Sequence, residues 1–376
     1  MKIVEDDFAE RAILKLINKY KLFKVVVLVN EQTKNSCNFI IDKLFKVVKS
    51  VQVVTFPNET KEENVITAII TDSLTEDVGC IINFCDDYVL SLAKICSKKI
   101  NIITVLTEPD INLFLLDSNY LVVGKNLIYN CSKKSVSNCY GKLCSLLFYL
   151  IEQVFNCAVL EVEISTDKLL NLDGVLKQLL LVPYSVLKTN FGKILLIKFC
   201  VKISNNLEFE NYNNSYIKKL SNIICKTNKN GLMLEGERLM FSSIILLKEM
   251  RVLLSANEIL PVGFNSYSRI RNYKNHFNKA KLEDIYNSFC LNENINLYVN
   301  NFFKFKEDFS AVFIQYVKQF EKLLNNFKLL YFDRGYKLSK SVSSQNILLS
   351  VNLIPESYNS VSYATFVRDV GLLNKL

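Results

Sequence analysis

Apolar and polar positions alternate along this chain in two distinct rhythms. The run KVVVLVN (24–30) is continuous and β-branched, which predicts a strand buried on both faces. NEQTKNSCNFIIDKLFKVVK then reads as a loop and a helix, and VQVVTF (51–56) as a second strand closed by Pro57-Asn58. Helical spacing returns over 60–72, with Val65, Ile66, Ile69 and Ile70 on one face. A strand at 80–83, a helix at 87–97, a strand at 100–106 and a short strand within LDSNYLVVG follow. The first twenty residues read as a helix whose apolar face carries Phe8, Ile13, Leu14, Leu16 and Ile17. Strands alternating with helical periods predict βαβ units and a parallel sheet.

After about residue 136 the rhythm changes. Segments 137–156, 168–180, 214–229, 231–255 and 309–329 carry helical spacing, separated by polar runs such as SNNLEFENYNNS (204–215) and NENINLYVNN (292–301). LEVEIS (160–165) reads as a short strand. The expectation is an α/β domain over 1–135, with a parallel Rossmann-like sheet, and a mostly α-helical domain over 136–376. In such sheets ligands lie beyond the carboxyl ends of the strands. That edge would carry Asn30-Glu31-Gln32-Thr33, Pro57-Asn58, Asn83–Tyr88 and Thr107–Asn112.

Composition narrows the choices. Half of the 376 residues are hydrophobic, enough for a sizeable core, and the formal charge of +9 is spread over lysines without a block of five like charges. That distribution speaks against a nucleic-acid tail; a modest positive field favours anionic partners in general, phosphorylated metabolites included, but solubility and coding bias account for the excess more simply. The acidic start MKIVEDDFAERAILKL lacks the pattern of a secretory signal, and the most apolar stretches, LLLVPYSVL and ILLIKFCV, are shorter than a membrane span. Eleven cysteines without dense spacing suggest buried thiols in a reducing, cytoplasmic setting. The pairs Cys80/Cys85 and Cys139/Cys144 have four residues between them; there is no CxxC, and the single histidine is His276, read as a surface residue. GxxxxGK[ST], GxSxG and HExxH are absent. The acidic pairs Asp6-Asp7 and Glu62-Glu63 read as solvated helix faces. Glycine is scarce, 10 residues where average usage gives about 26, which limits close backbone approach to phosphate.

Several segments together carry a likeness. KVVVLVNEQT, GCIINFCDDYVLSLAK, NIITVLTEPDINLF, LLKEMRVL with ILPVGFNS, and FVRDVGLL fall in the order of the corresponding segments of one family. In this the chain resembles the glycerol-1-phosphate dehydrogenases, cousins of the iron-containing alcohol dehydrogenases and dehydroquinate synthases, as a diverged member. The resemblance implies a dehydroquinate synthase-like architecture. It also implies hydride transfer between NAD(P) and dihydroxyacetone phosphate, giving sn-glycerol 1-phosphate, with a divalent metal (zinc, nickel or iron) polarising the carbonyl. Lys94, Thr107 and Pro109 match the family's motifs.

Carried over position by position, the machinery does not survive. The family's strand-edge aspartate falls on Asn30, its Gly-Ser-Gly-Thr phosphate loop on Cys85-Asp86-Asp87-Tyr88, and its substrate-side aspartate on Asn112. Its metal-binding aspartate and two histidines fall near Lys142, Ser242 and Glu258, which do not make a divalent site. Two carboxylates beside a pyrophosphate are repelled by roughly several kcal/mol, whereas a helix terminus attracts each charge by only about 0.3–1 kcal/mol. Asp86 and Asp87 would instead cap the helix that once met phosphate. The expectation is a catalytically inactive member with neither cofactor nor metal, retained for binding or assembly as a homo-oligomer or beside an active homologue, without nucleic-acid binding or membrane insertion. The alternative is an active NAD(P)-dependent oxidoreductase reducing a phosphorylated ketone, with proton transfer by Lys94, Lys142 or Tyr140.

Overall fold

A computed structural model of the chain describes residues 2–57, 62–85, 87–97, 100–109, 118–227, 234–259, 293–332 and 362–370. The chain divides into two compact units, Met1–Val136 with Tyr184–Asn205, and Ser137–Pro183 with Asn206–Leu376.

The first unit is built on a six-stranded sheet whose pairings are all parallel, in the order β1-β6-β5-β4-β2-β3. Its strands are β1 (Lys2–Asp6), β2 (Lys24–Asn30), β3 (Ser50–Phe56), β4 (Cys80–Asn83), β5 (Asn101–Leu106) and β6 (Tyr120–Gly124). The helices between them are α1 (Ala9–Tyr20), α2 (Glu31–Val47), α3 (Glu63–Ser73), α4 (Asp87–Ser97) and α5 (Lys125–Tyr129). β2 is central and β-branched because helices cover both its faces. Val25, Val27 and Val29 pack with Ile13, Leu16, Ile40 and Leu44 of α1 and α2. Val26 and Leu28 pack with Ile66, Ile70, Leu90 and Ala93 of α3 and α4. A period-two strand between two helical layers must be apolar at every position.

Three local readings are corrected here. Residues 2–6 form a strand rather than the first turn of a helix, because β6 offers them a parallel partner: Ile3 lies opposite Leu121 and Val4 opposite Val122. α1 begins only at Ala9, and Phe8 is exposed rather than inward-facing. No side chain caps α1 locally, so Asn126 does so from across the unit, its Oδ1 accepting the Ala9 amide at 3.0 Å. Asp6 is not a solvated helix face either. Its side chain is 6% exposed and takes hydrogen bonds from Arg11 Nε at 2.6 Å and Lys15 Nζ at 2.9 Å. The Arg11 bond, with Lys15 and the Phe8 amide, holds that carboxyl well below the usual range despite desolvation.

A helical excursion also returns to the first unit. α8 (Tyr184–Leu187) and α9 (Asn190–Ser204) follow the unit boundary. Ile194, Ile197 and Val201 of α9 pack on Leu106, Leu121, Val123 and Ile128. Lys193 Nζ donates to the Tyr129 and Cys131 carbonyls at 2.7 and 3.2 Å, which satisfies acceptors at the end of α5. Segment 184–205 therefore belongs with the sheet, not with the helical domain in which the sequence places it.

The second unit is helical: most of α6 (Lys133–Leu160), then α7 (Thr166–Leu180), α10 (Phe209–Asn213), α11 (Tyr216–Thr227), α12 (Glu235–Ser255), α13 (Ile295–Phe332) and α14 (Tyr363–Asp369). Phe155 of α6 is its hub, with rings of Phe309, Phe366 and Tyr363 at 5.5, 5.3 and 5.1 Å. α6 and α12 touch backbone to backbone: a Cβ on Gly141 would lie 2.5 Å from the Gly236 carbonyl oxygen, and one on Gly236 would overlap the Asn138 carbonyl. LEVEIS is not a strand; its residues after Leu160 lie outside any strand or helix before α7, with Glu161 at φ 57°. Residues 295–301, expected as polar punctuation, are the first turns of α13.

The helix expected over 137–156 is longer and more apolar than the stretches weighed as membrane spans. α6 is long and apolar enough to cross a membrane by length and composition, but 83% of that stretch is buried within the protein, the pattern of a core helix. The thiols divide: Cys37, Cys80, Cys139, Cys144 and Cys200 are buried as expected, whereas Cys157 and Cys225 are exposed.

Candidate functional site

Because every pairing in the sheet is parallel, the carboxyl ends of β2, β4 and β5 share one edge. Asn83 lies opposite Leu28 on one side and Thr104 on the other. At this edge the polar groups are used locally. Asn30 closes β2 and caps α2, its Oδ1 accepting the Thr33 amide at 2.7 Å and the Thr33 hydroxyl at 2.8 Å. Asn83 is fully buried; its Oδ1 accepts the Cys85 amide at 3.2 Å and its Nδ2 donates to the Cys85 carbonyl at 3.3 Å. That turn directs the Cys85 amide inward, onto a side chain, where a phosphate cradle needs outward amides. Tyr88 is 40% exposed, Thr107 is half-buried, and the adjacent Glu108 accepts a hydrogen bond from Ser135. Asp86 and Asn112 lie outside the described residues, as does the side chain of Asp87, which opens α4. The capping role expected of the two aspartates thus lies outside the description.

The positions matched to metal ligands lie in the helical unit. Lys142 of α6 makes an ion pair with Glu235, Nζ to Oε2 2.7 Å, and its side chain is 11% exposed. Lys218 of α11 pairs with the other carboxylate oxygen of Glu235. Burial pushes the Glu235 carboxyl up, but the two ammoniums outweigh it and hold it at about 2. The same carboxylate stands at the first residue of α12, where it also complements the helix dipole. Ser242 is fully buried and its hydroxyl donates to the Arg238 carbonyl at 2.9 Å. Glu258 is exposed, beyond the end of α12, and His276 lies outside the described residues. An ammonium has no lone pair to offer a cation, and the Ser242 hydroxyl is turned onto its own helix, so these side chains do not fit a divalent metal. Among the described residues no three His, Cys, Asp or Glu side chains gather as a metal site.

The candidates for proton transfer are similarly placed in packing roles. Lys94 is half-buried in the last turn of α4. Tyr140 is fully buried, accepts a hydrogen bond from Asn326 Nδ2 at 3.2 Å, and burial pushes its phenol well above the ordinary value.

One cluster was missed altogether. Glu152 of α6 and Glu249 of α12 are both buried. Glu152 accepts the Tyr216 amide with each oxygen at 2.9 Å, capping α11 from another helix. Tyr216 Oη donates to Glu249 Oε1 at 2.5 Å. Burial pushes each carboxyl up to about 8, against the opposing pull of the Tyr216 amide on Glu152 and of the Tyr216 hydroxyl on Glu249. Glu249 Oε2 and the Tyr363 hydroxyl, both buried, have no hydrogen-bond partner among the described residues. The signal was available: LFYLIEQVF and IILLKEMRVLL each carry an acid within an otherwise apolar helical stretch.

No protein-family model matches the sequence, and no curated protein matches it. Solved structures do. The chain superposes on a glycerol dehydrogenase from Schizosaccharomyces pombe with a TM-score of 0.55 at 13% identity, covering 100% of this chain and 89% of that one. It superposes on a sulfoacetaldehyde reductase from Bifidobacterium kashiwanohense in complex with NAD+ with a TM-score of 0.56 at 12% identity, covering 100% and 96%. For an iron-containing alcohol dehydrogenase from Thermococcus thioreducens the TM-score is 0.57 at 9% identity, covering 100% and 97%. A parallel Rossmann-like sheet unit with a largely helical unit, the dehydroquinate synthase-like architecture, is thus the fold that this chain shares with the glycerol dehydrogenases and iron-containing alcohol dehydrogenases.

Proposed function

We propose that this chain is a diverged, catalytically inactive relative of the glycerol-1-phosphate dehydrogenases, cytoplasmic and kept for binding or assembly, alone as a homo-oligomer or beside an active homologue. The observation that carries this reading is the Lys142–Glu235 ion pair at 2.7 Å. A cation held by salt bridge stands at the position matched to the family's metal-binding carboxylate. The turn at Asn83 and Cys85 supports the same reading for the dinucleotide, since an amide bonded to Asn83 Oδ1 is not offered to phosphate. NAD(P) and zinc, nickel or iron would be needed for hydride transfer, and neither set of side chains suits them.

Three measurements on the purified chain decide the matter. Elemental analysis after growth with zinc, nickel and iron is expected to find none in stoichiometric amount. Calorimetry is expected to give no heat of binding with NAD(H) or NADP(H), and dihydroxyacetone phosphate is expected to remain unreduced. Stoichiometric metal, micromolar cofactor affinity or measurable turnover would instead establish the active oxidoreductase.

A further inference from the structure

The two edges of the sheet are treated differently. β1 ends it on one side with KIVED, three charged residues in five, the usual protection against pairing with another chain. β3 ends it on the other side with SVQVVTF, which holds no charge and no proline. Among the described residues β3 pairs only with β2, and its outer row of amides and carbonyls has no strand partner among them. The Ser50 amide donates to the Phe23 carbonyl at 3.0 Å, toward β2. By strand alternation the amides of Gln52, Val54 and Phe56 face the same way, and those of Val51, Val53 and Thr55 face outward.

Charge flanks this edge asymmetrically. Lys46 and Lys49 are exposed at its amino end, where α2 runs into β3. Glu62 and Glu63 are exposed where α3 begins, after its carboxyl end. Parallel pairing with an identical strand would set lysines beside lysines. Antiparallel pairing sets the basic end of each copy beside the acidic end of the other. The helices on the two faces beside β3 also expose large apolar side chains, Phe45 (56%) and Val47 (53%) on α2, Val65 (40%) and Ile69 (38%) on α3.

We propose that the free edge of β3 is a self-association surface: two copies of this chain join by antiparallel β3–β3 pairing into one continuous sheet. A two-fold axis at Val53 sets Val53 opposite its own copy and Val51 opposite Thr55. These are the residues whose amides face outward, so each pair exchanges two backbone hydrogen bonds. The occupant is a second copy rather than an unrelated extended peptide because the flanking charges complement themselves under that axis. The inference does not rest on whether the site is inactive.

The test is the mass in solution, by sedimentation equilibrium and by light scattering after size exclusion, on the full chain. Wild type is expected at twice 43.3 kDa. Val53→Pro removes an outward amide and leaves the β2 ladder untouched; it is expected to run as a monomer with an unchanged far-ultraviolet spectrum. Lys46→Glu with Lys49→Glu is expected to weaken the dimer about tenfold or more, and adding Glu62→Lys with Glu63→Lys to restore it. The charge variants decide the case if Val53→Pro does not fold. A wild type that stays monomeric at tens of micromolar overturns the proposal, as does a folded Val53→Pro dimer or charge reversal without loss and rescue.

Discussion

Replacing Glu249 by glutamine should make stability less dependent on pH. In the folded protein this carboxyl is fully buried and titrates at about 8, against an ordinary 4.5, because desolvation outweighs its hydrogen bond from Tyr216. The folded-state value is raised, so between these limits the native state holds a proton that the unfolded chain has released. Stability therefore falls as pH rises through this window, by about 1.4 kcal/mol per pH unit for one group, and levels off above the folded value. Across the window the loss is about 4–5 kcal/mol if fully expressed, a large part of an ordinary domain's stability. Glutamine keeps the shape and an acceptor for the Tyr216 hydroxyl, and it carries no charge. Its amide nitrogen would take the place of Oε2, which has no partner among the described residues, at a constant cost of about 1–3 kcal/mol. The decisive quantity is the slope, not the offset. Urea unfolding of both proteins at successive pH values from about 5 to about 8.5 should show Glu249→Gln gaining on wild type by about 1 kcal/mol per unit. A difference that stays flat over that range would refute the buried-acid argument.

Other perturbations probe the remaining contacts. Glu235 is depressed to about 2 by Lys142 and Lys218, so its contribution is complete above pH 4.5 and is lost as pH falls toward 2. Glu235→Gln should cost about 1–3 kcal/mol at neutral pH, a figure reduced for its partial exposure, and nothing near pH 2, as followed by acid unfolding. Gly236→Ala pushes a methyl into the Asn138 carbonyl and should cost about 2 kcal/mol or more by thermal melting, whereas Gly174→Ala meets nothing within 4 Å and should gain up to about 1 kcal/mol.

The parts of the fold that were legible are those whose burial is complete. Every position of β2 between Lys24 and Asn30 faces a helical layer, so the run could only be a central strand. The misread parts depend on partners distant in sequence. β1 has charges compatible with a helix start, and its strand character comes from pairing with β6 more than a hundred residues later. Segment 184–205 looks helical from its own residues, but its return to the sheet is decided by Leu106, Leu121, Val123 and Ile128. The start of α13 was legible in principle: Ile295, Tyr298, Val299 and Phe302 are buried at helical spacing, obscured by the asparagines between them. Sequence can nominate single residues for the candidate site, but it does not show their partners. Nothing near Lys142 in the chain announces Glu235, and Glu152 gives no sign that it caps a helix starting at Tyr216.

Those partners explain why one reversion should not recover a metal site. At three of the described positions matched to the ligand machinery the side chain has a local role: Asn30 with Thr33, Ser242 with the Arg238 carbonyl, Lys142 with Glu235. A functional site holds polar groups in reserve for a ligand and loses stability by doing so. In this chain those groups are already matched. On the proposed correspondence Lys142→Asp would supply the carboxylate a metal ligand needs, but it would place a second carboxylate beside Glu235 and leave Lys218 to serve both. Removing one partner of this partly exposed ion pair costs about 1–3 kcal/mol, and the new like-charge contact adds to that. The variant should therefore melt well below wild type and still bind no zinc, by melting curves with and without metal and by elemental analysis. A Lys142→Asp protein that melts with wild type, or takes up zinc stoichiometrically, would mean that the ion pair is incidental and that the cation site survives.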